Sequence, residues 1–153
     1  MTYATIESGL EDLIDAHADY AKSGSTQNVS KGDYRILGHG RRRAVVLQPG
    51  AVLSRNISGA PRRLHTLWVI HIELFIMYRG EISTIASDIR TDRQTLVDHL
   101  DKYPTLDGVA GVAHAFIASL DEPEVWPTGD SRHYWVQRIR MQVNEHTTIT
   151  IAE

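Results

Sequence analysis

The sequence predicts an α+β fold: a mostly antiparallel sheet of about four strands with two helices packed on it, in the order α-β-β-α-β-β. Three observations carry that prediction. Two stretches, Ile6 to Ala21 and Ile82 to Tyr103, repeat apolar residues at helical spacing. Four others, at 43–48, 66–78, 112–120 and 133–144, are apolar runs or alternate at strand spacing. Strands and helices do not follow one another as βαβα, which argues against a doubly wound parallel sheet. A chain of 153 residues with 42% hydrophobic content suits one α+β domain over residues 1–153 with a core of its own.

The first helix is expected over Thr5 to Lys22. Ile6, Leu10, Leu13, Ile14, His17, Ala18 and Ala21 share one side, and Gly24 is a stop signal. Residues 23–42 are rich in Ser, Gly and Asn, and read as a connector with a short strand near Tyr34–Leu37. A strand follows at Arg43–Gln48, ended by the turn dipeptide Pro49-Gly50. Residues 51–63 read as a second long connector, closed by Ala60-Pro61.

Thr66 to Tyr78 is the clearest strand. Trp68, Ile70, Ile72, Leu74 and Ile76 occupy one face; His65, Leu67, Val69, His71, Glu73, Phe75 and Met77 occupy the other. Its length of roughly 40 Å, at about 3.3 Å per residue, matches the diameter of a compact domain of this size. That suggests an extended hairpin or a pairing edge. A second helix, Glu81–Tyr103, ends at Pro104. Strands at Val112–Leu120 and His133–Asn144 follow, separated by a turn-rich connector, and the Thr/Ile alternation after His146 extends the sheet.

Charge is unevenly spread. Residues 1–30 sum to −4, residues 31–64 to +7 and residues 65–153 to −6, giving −3 in all. The middle segment holds Lys31, Arg35, Arg41, Arg42, Arg43, Arg55, Arg62 and Arg63 in the two connectors. Two readings stand: contact with an anionic partner, or arginines neutralised by the chain's own acids. Specific DNA reading is disfavoured, because both helices are acidic or mixed and only Tyr34 is available for base stacking. A nucleic-acid-binding module using residues 31–63 through backbone contacts stays as an alternative.

No catalytic, metal or cofactor site is expected. There is no cysteine, which removes disulfides, thiolate zinc sites and cysteine nucleophiles. The eight histidines show no HxxxH or HExxH spacing, and no serine sits in G-x-S-x-G. Gly38-x-Gly40 neither follows a clear strand nor opens a helix, so it makes a poor phosphate cradle. A hydrolase triad would have to be assembled in space from distant residues. Tyr134, Trp135 and Trp126 invite an interface reading; Trp135 suits the core better, and Trp126 is open to either. No apolar stretch is long enough for a membrane helix and no signal peptide is visible, so a soluble chain of the cytoplasm is expected.

The layout resembles the tail terminator and tail completion proteins of long-tailed bacteriophages. The resemblance rests on the helix Ile6–Ala21, the strand Ala44-Val45-Val46-Leu47-Gln48-Pro49-Gly50 and the long strand Trp68-Val69-Ile70-His71-Ile72-Glu73-Leu74. It continues in the helix leading into Leu100-Asp101-Lys102-Tyr103-Pro104-Thr105-Leu106-Asp107-Gly108, and in Trp135-Val136-Gln137-Arg138-Ile139-Arg140-Met141-Gln142-Val143. The resemblance implies a non-enzymatic virion protein, assembled in the host cytoplasm, whose copies form a hexameric ring on the head-proximal end of the tail tube. Such a ring stops tube growth, presents a surface to the head–tail connector protein, and passes DNA through its bore without reading its sequence. A neck or tail-completion connector is the neighbouring role. Arg41, Arg42, Arg43, Arg55, Arg62, Arg63 and Trp126 are the residues expected at a subunit or tube interface, since a head-to-tail ring needs two different complementary patches on each copy.

Overall fold

The computed structural model describes residues 3–20, 28–34, 37, 42–59, 62–127 and 132–149. The elements in chain order are α1 (Tyr3–Asp15), β1 (Val29–Lys31), β2 (Arg43–Leu47), β3 (Ala51–Ser58), β4 (Arg63–Arg79), α2 (Ala86–Asp101), β5 (Val112–Leu120), β6 (Glu124–Pro127) and β7 (Arg132–Thr148). This corrects the expected architecture. Among the described residues seven strands, not four, form one mixed sheet, and the order is α-β-β-β-β-α-β-β-β.

The three unexpected strands have a common cause. β1 has three residues, β6 has four and contains Pro127, and every residue of β3 is exposed. None carries the alternation of buried and exposed positions that marks a half-buried strand. Each exists because a longer strand offers it a ladder. β1 runs parallel to β2, and β6 runs antiparallel to the first part of β7. The segment 51–63, expected as a connector, is instead the β3 arm of a hairpin with β4.

The sheet is organised by β4 and β7, which pair antiparallel along all seventeen residues of each. β4 is therefore central, which corrects the pairing-edge expectation while keeping the hairpin. Its other side is shared: β2 pairs with Arg43 opposite Ile76 through Leu47 opposite Ile72, and β3 with Ala51 opposite Val69 through Ser58 opposite Arg63. β7 is shared likewise, β6 lying against His133–Val136 and β5 against Ile139–Glu145. The ladder thus has two ends. At one, β1, β2 and β6 flank it; at the other, β3 and β5 do.

The period-two pattern of β4 sorts its side chains as the sequence indicates. Ile70, Ile72, Leu74 and Ile76 join Val45, Leu47, Ile139, Met141 and Val143 beneath both helices. α1 contributes Ile6, Leu10, Leu13 and Ile14, and α2 contributes Ile89, Leu96 and Leu100. Each fully buried Leu or Ile contributes about 1.5–3 kcal/mol. The helices meet where a His99 ring nitrogen lies 2.7 Å from the Leu13 carbonyl oxygen. The opposite face carries a smaller cluster of Ala44, Val46, Phe75, Tyr134 and Val136.

Both helices are shorter than expected. α1 stops at Asp15, and turns from Ala16 to Tyr20 fold the Tyr20 ring into the core at 1% exposure. A 3-10 turn, Ile82–Thr84, replaces the first turn expected of α2. The expected strand near Tyr34–Leu37 is not formed by its described residues, and the extension of β7 runs to Thr148.

Candidate functional site

Six of the seven residues expected at an interface fall into three places, and the seventh, Arg41, lies outside the described residues. Arg42 and Arg43 stand where β2 begins, facing acids of the chain itself. The Arg43 Nε is 3.0 Å from the Asp92 carboxylate and its Nη1 3.4 Å from Asp19. Arg42 lies 3.6 Å from Asp88 and 3.9 Å from Asp92. Asp92 is buried on α2, so this cluster ties α2, β2 and the turn after α1 together. Burial pushes the Tyr20 phenol upward, and the neighbouring Asp92 carboxylate adds to the shift.

Arg55, Arg62 and Arg63 belong to the β3–β4 hairpin at the other end of the ladder. All three are exposed, and none enters an ion pair among the described residues. Their neighbours on the same arm are apolar and also exposed: Val52 at 44%, Leu53 at 53% and Ile57 at 62%. Register places Val52 and Ile57 opposite Trp68 and Leu64, on the helix side of the sheet. The other side of the arm is polar. His65 and His146 stack edge-on across β4 and β7 with ring centroids 4.2 Å apart, and Ser58 Oγ lies 2.6 Å from the His65 Nε2. Ser54, Asn56 and Asn144 share the same shallow pocket of about 290 Å³. The arm thus sets Val52 and Ile57, with Arg55 between them, on one face and Ser54, Asn56 and Ser58 on the other, and Arg62 and Arg63 make its tip cationic.

Trp126 sits on β6, at the β2 end of the ladder and opposite the hairpin arginines. Its ring centroid is 5.1 Å from that of Phe75 and 6.0 Å from that of Tyr34, and its indole donates to the Glu124 carboxylate at 3.1 Å. It is half-buried and caps the smaller cluster on the second face.

Beside that cap lies a polar pocket of about 390 Å³, lined by Tyr34, Gln48, Pro49, His71, Glu73, Asp121 and Arg138. Glu73 forms its floor at 1% exposure. The Tyr34 hydroxyl and the Gln48 amide both donate to Glu73 Oε1, and Arg138 Nη2 lies 3.5 Å from Oε2. Partial burial and the Glu73 carboxylate together push the Tyr34 phenol up to about 12. The carboxylate is surrounded by donors of its own chain, as a buried charge requires. Among the described residues, no group of three or more His, Asp or Glu is placed to hold a metal ion, and no helix is long and apolar enough to cross a membrane.

Sequence reasoning passed over Val52, Leu53 and Ile57. The signal was present: branched apolar residues flanked by Pro49-Gly50 and by Gly59-Ala60-Pro61, the punctuation of a hairpin arm. No protein-family model and no curated protein matches the chain.

Proposed function

We propose that this chain is a structural assembly protein, a tail terminator that closes as a ring on the head-proximal end of a phage tail tube. One observation carries the reading: β3 is an eight-residue edge strand, exposed throughout, bearing Val52, Leu53 and Ile57 beside three unpaired arginines. Natural proteins blunt such edges with lysine, proline or a covering element, because an open edge recruits another chain. β3 has no lysine and no proline, and its edge carries one charge, Arg55, and one irregularity, between Val52 and Ser54. An uncovered edge of this kind suits a protein whose purpose is to be joined.

The resemblance supports the specific role. Its five stretches form α1, β2, the middle of β4, the end of α2 with the loop after it, and β7, the elements that build the main core. In this reading the ring's one face mates with the last tube disc, and the other gives the next disc no matching surface. Arg42 and Arg43 serve the fold, while Arg55, Arg62 and Arg63 serve assembly.

Electron microscopy of purified tail tubes mixed with the protein tests the reading. The expected result is a ring at one tube end and tubes that no longer elongate when subunits are added. Tubes that stay bare and keep growing would sink it, and labelling at the neck of intact particles would move the protein to the connector role.

A further inference from the structure

We infer that copies of this chain join head-to-tail through two different sheet edges, β3 of one copy adding to β5 of the next. The inference rests on the self-assembly proposed above and specifies its contact.

Exposed apolar side chains point to these edges. Of the eight large hydrophobic residues exposed among the described residues, Val52, Leu53 and Ile57 are on β3, Phe116 and Leu120 on β5, and Val125 on β6. The edges at the other end of the ladder are short, three residues in β1 and four in β6, whereas β3 has eight and β5 has nine. Among the described residues the longer open edges are at one end, all eight residues of β3 and the last five of β5.

Charge decides which edge meets which. Residues 51–63 carry Arg55, Arg62 and Arg63 and no acid, a net of +3. Residues 112–124 carry Asp121, Glu122 and Glu124 and no Lys or Arg, a net of −3. Pairing β3 with β3, or β5 with β5, sets like charge against like; pairing β3 with β5 sets opposites together. Such a contact is heterologous, so it propagates, and it closes into a ring when the rotation permits.

The strand directions agree. β3 and β4, β4 and β7, and β7 and β5 are antiparallel pairs, so β5 runs antiparallel to β3 within one copy. A neighbour generated by rotation about an axis to which the strands are tilted, as in a barrel, therefore offers β3 antiparallel to β5, and the sheet continues without a reversal. Part of the β5 edge is already taken: the Ala115 amide donates to the Pro104 carbonyl at 2.6 Å, which brings the loop after α2 over its first half. The open part is Phe116–Leu120, level with Gln142–Ile139 on β7, while β3 stands level with Gln142–Thr148. Meeting it requires the neighbour to slide by roughly 15 Å, at about 3.3 Å per residue. That slide carries Arg55 toward Asp121, and a stagger between neighbours is what closing a sheet into a barrel demands.

The test is a pair of charge-reversed full-length variants: Arg55→Glu/Arg62→Glu/Arg63→Glu, and Asp121→Lys/Glu122→Lys/Glu124→Lys. Native mass spectrometry without tail tubes should show each variant associating at least about tenfold more weakly than the natural chain, and an equal mixture recovering mixed oligomers. If only the β3 variant is affected, β3 pairs with itself and the inference falls. A second measurement guards against misfolding. The chain has no cysteine, so Ser54→Cys and Ser119→Cys introduce the only thiols. Together in one chain they should give an oxidised ladder beyond the dimer, and singly they should not. Failure of the natural chain to bind tubes would sink the terminator reading while leaving these outcomes legible. A natural chain that stays monomeric at every concentration and a double-cysteine chain that gives no ladder would overturn the edge pairing itself.

Discussion

The two ends of the β4–β7 ladder are built from similar residues and put to different use. At the end flanked by β2, the strands are covered on both faces, by α1 and α2 on one side and by Phe75, Tyr134, Tyr34 and Trp126 on the other. Its charges are internal, Arg43 on Asp92 and Arg138 on Glu73. At the end flanked by β3, comparable apolar residues and arginines remain in solvent. One end spends its side chains on stability, and the other leaves them in solvent.

That contrast is breakable. Leu74→Ala, at a fully buried position of the covered end, should cost about 2–5 kcal/mol in denaturant unfolding through the cavity left behind. A loss under about 1 kcal/mol would mean that the core there is loosely packed. Asp92→Ala should cost about 2–3 kcal/mol by stranding Arg43, less than the 3–5 of a fully buried pair because the Arg43 side chain is 20% exposed. An unchanged unfolding midpoint would show the cluster to be solvent-screened.

The covered end also sets a pH response. The Tyr34 phenol titrates near 12 in the fold against about 10 in an unfolded chain. Its contribution is complete below pH about 10 and is lost as pH rises through about 12. Unfolding midpoints across that window should fall, and fall less steeply in Tyr34→Phe; parallel slopes would remove the Glu73–Tyr34 bond as the cause. The smallest change in stability belongs to the open end. Ile57→Ser should alter it by under about 0.5 kcal/mol, as exposed sites do, while weakening self-association measured by sedimentation. A large stability loss there would show the arm to be part of the core.

The same contrast explains what could be read from the sequence. Strands buried on one or both faces announce themselves: Trp68 to Ile76 and Trp135 to Val143 alternate because alternate positions meet the core. Both helices were visible from their buried stripes, although their ends shifted where Tyr20 folds inward and where Ile82–Thr84 tightens to a 3-10 turn. β1, β3 and β6 left no period because their partners, not their own burial, make them strands. The arginines were legible as a group but not as two groups, since separating Arg43 from Arg55 requires knowing that Asp92 lies across from β2. The interface candidates β3 and β5 come together as neighbours of one ladder only through a register that no local pattern encodes.

The long ladder also governs the order in which the molecule is completed. Its paired residues are far apart in the chain, 53 positions for Arg79 with Arg132 and 85 for Arg63 with Thr148. Contacts of such separation form slowly, because loop closure precedes their reward. β7 is the last strand of the order, so during synthesis β4 waits with its entire second edge open. Until β7 emerges, at a synthesis rate of about 5–20 residues per second, that edge is longer than either edge strand β3 or β5 of the finished sheet, and this interval is when the chain is most exposed to wrong partners.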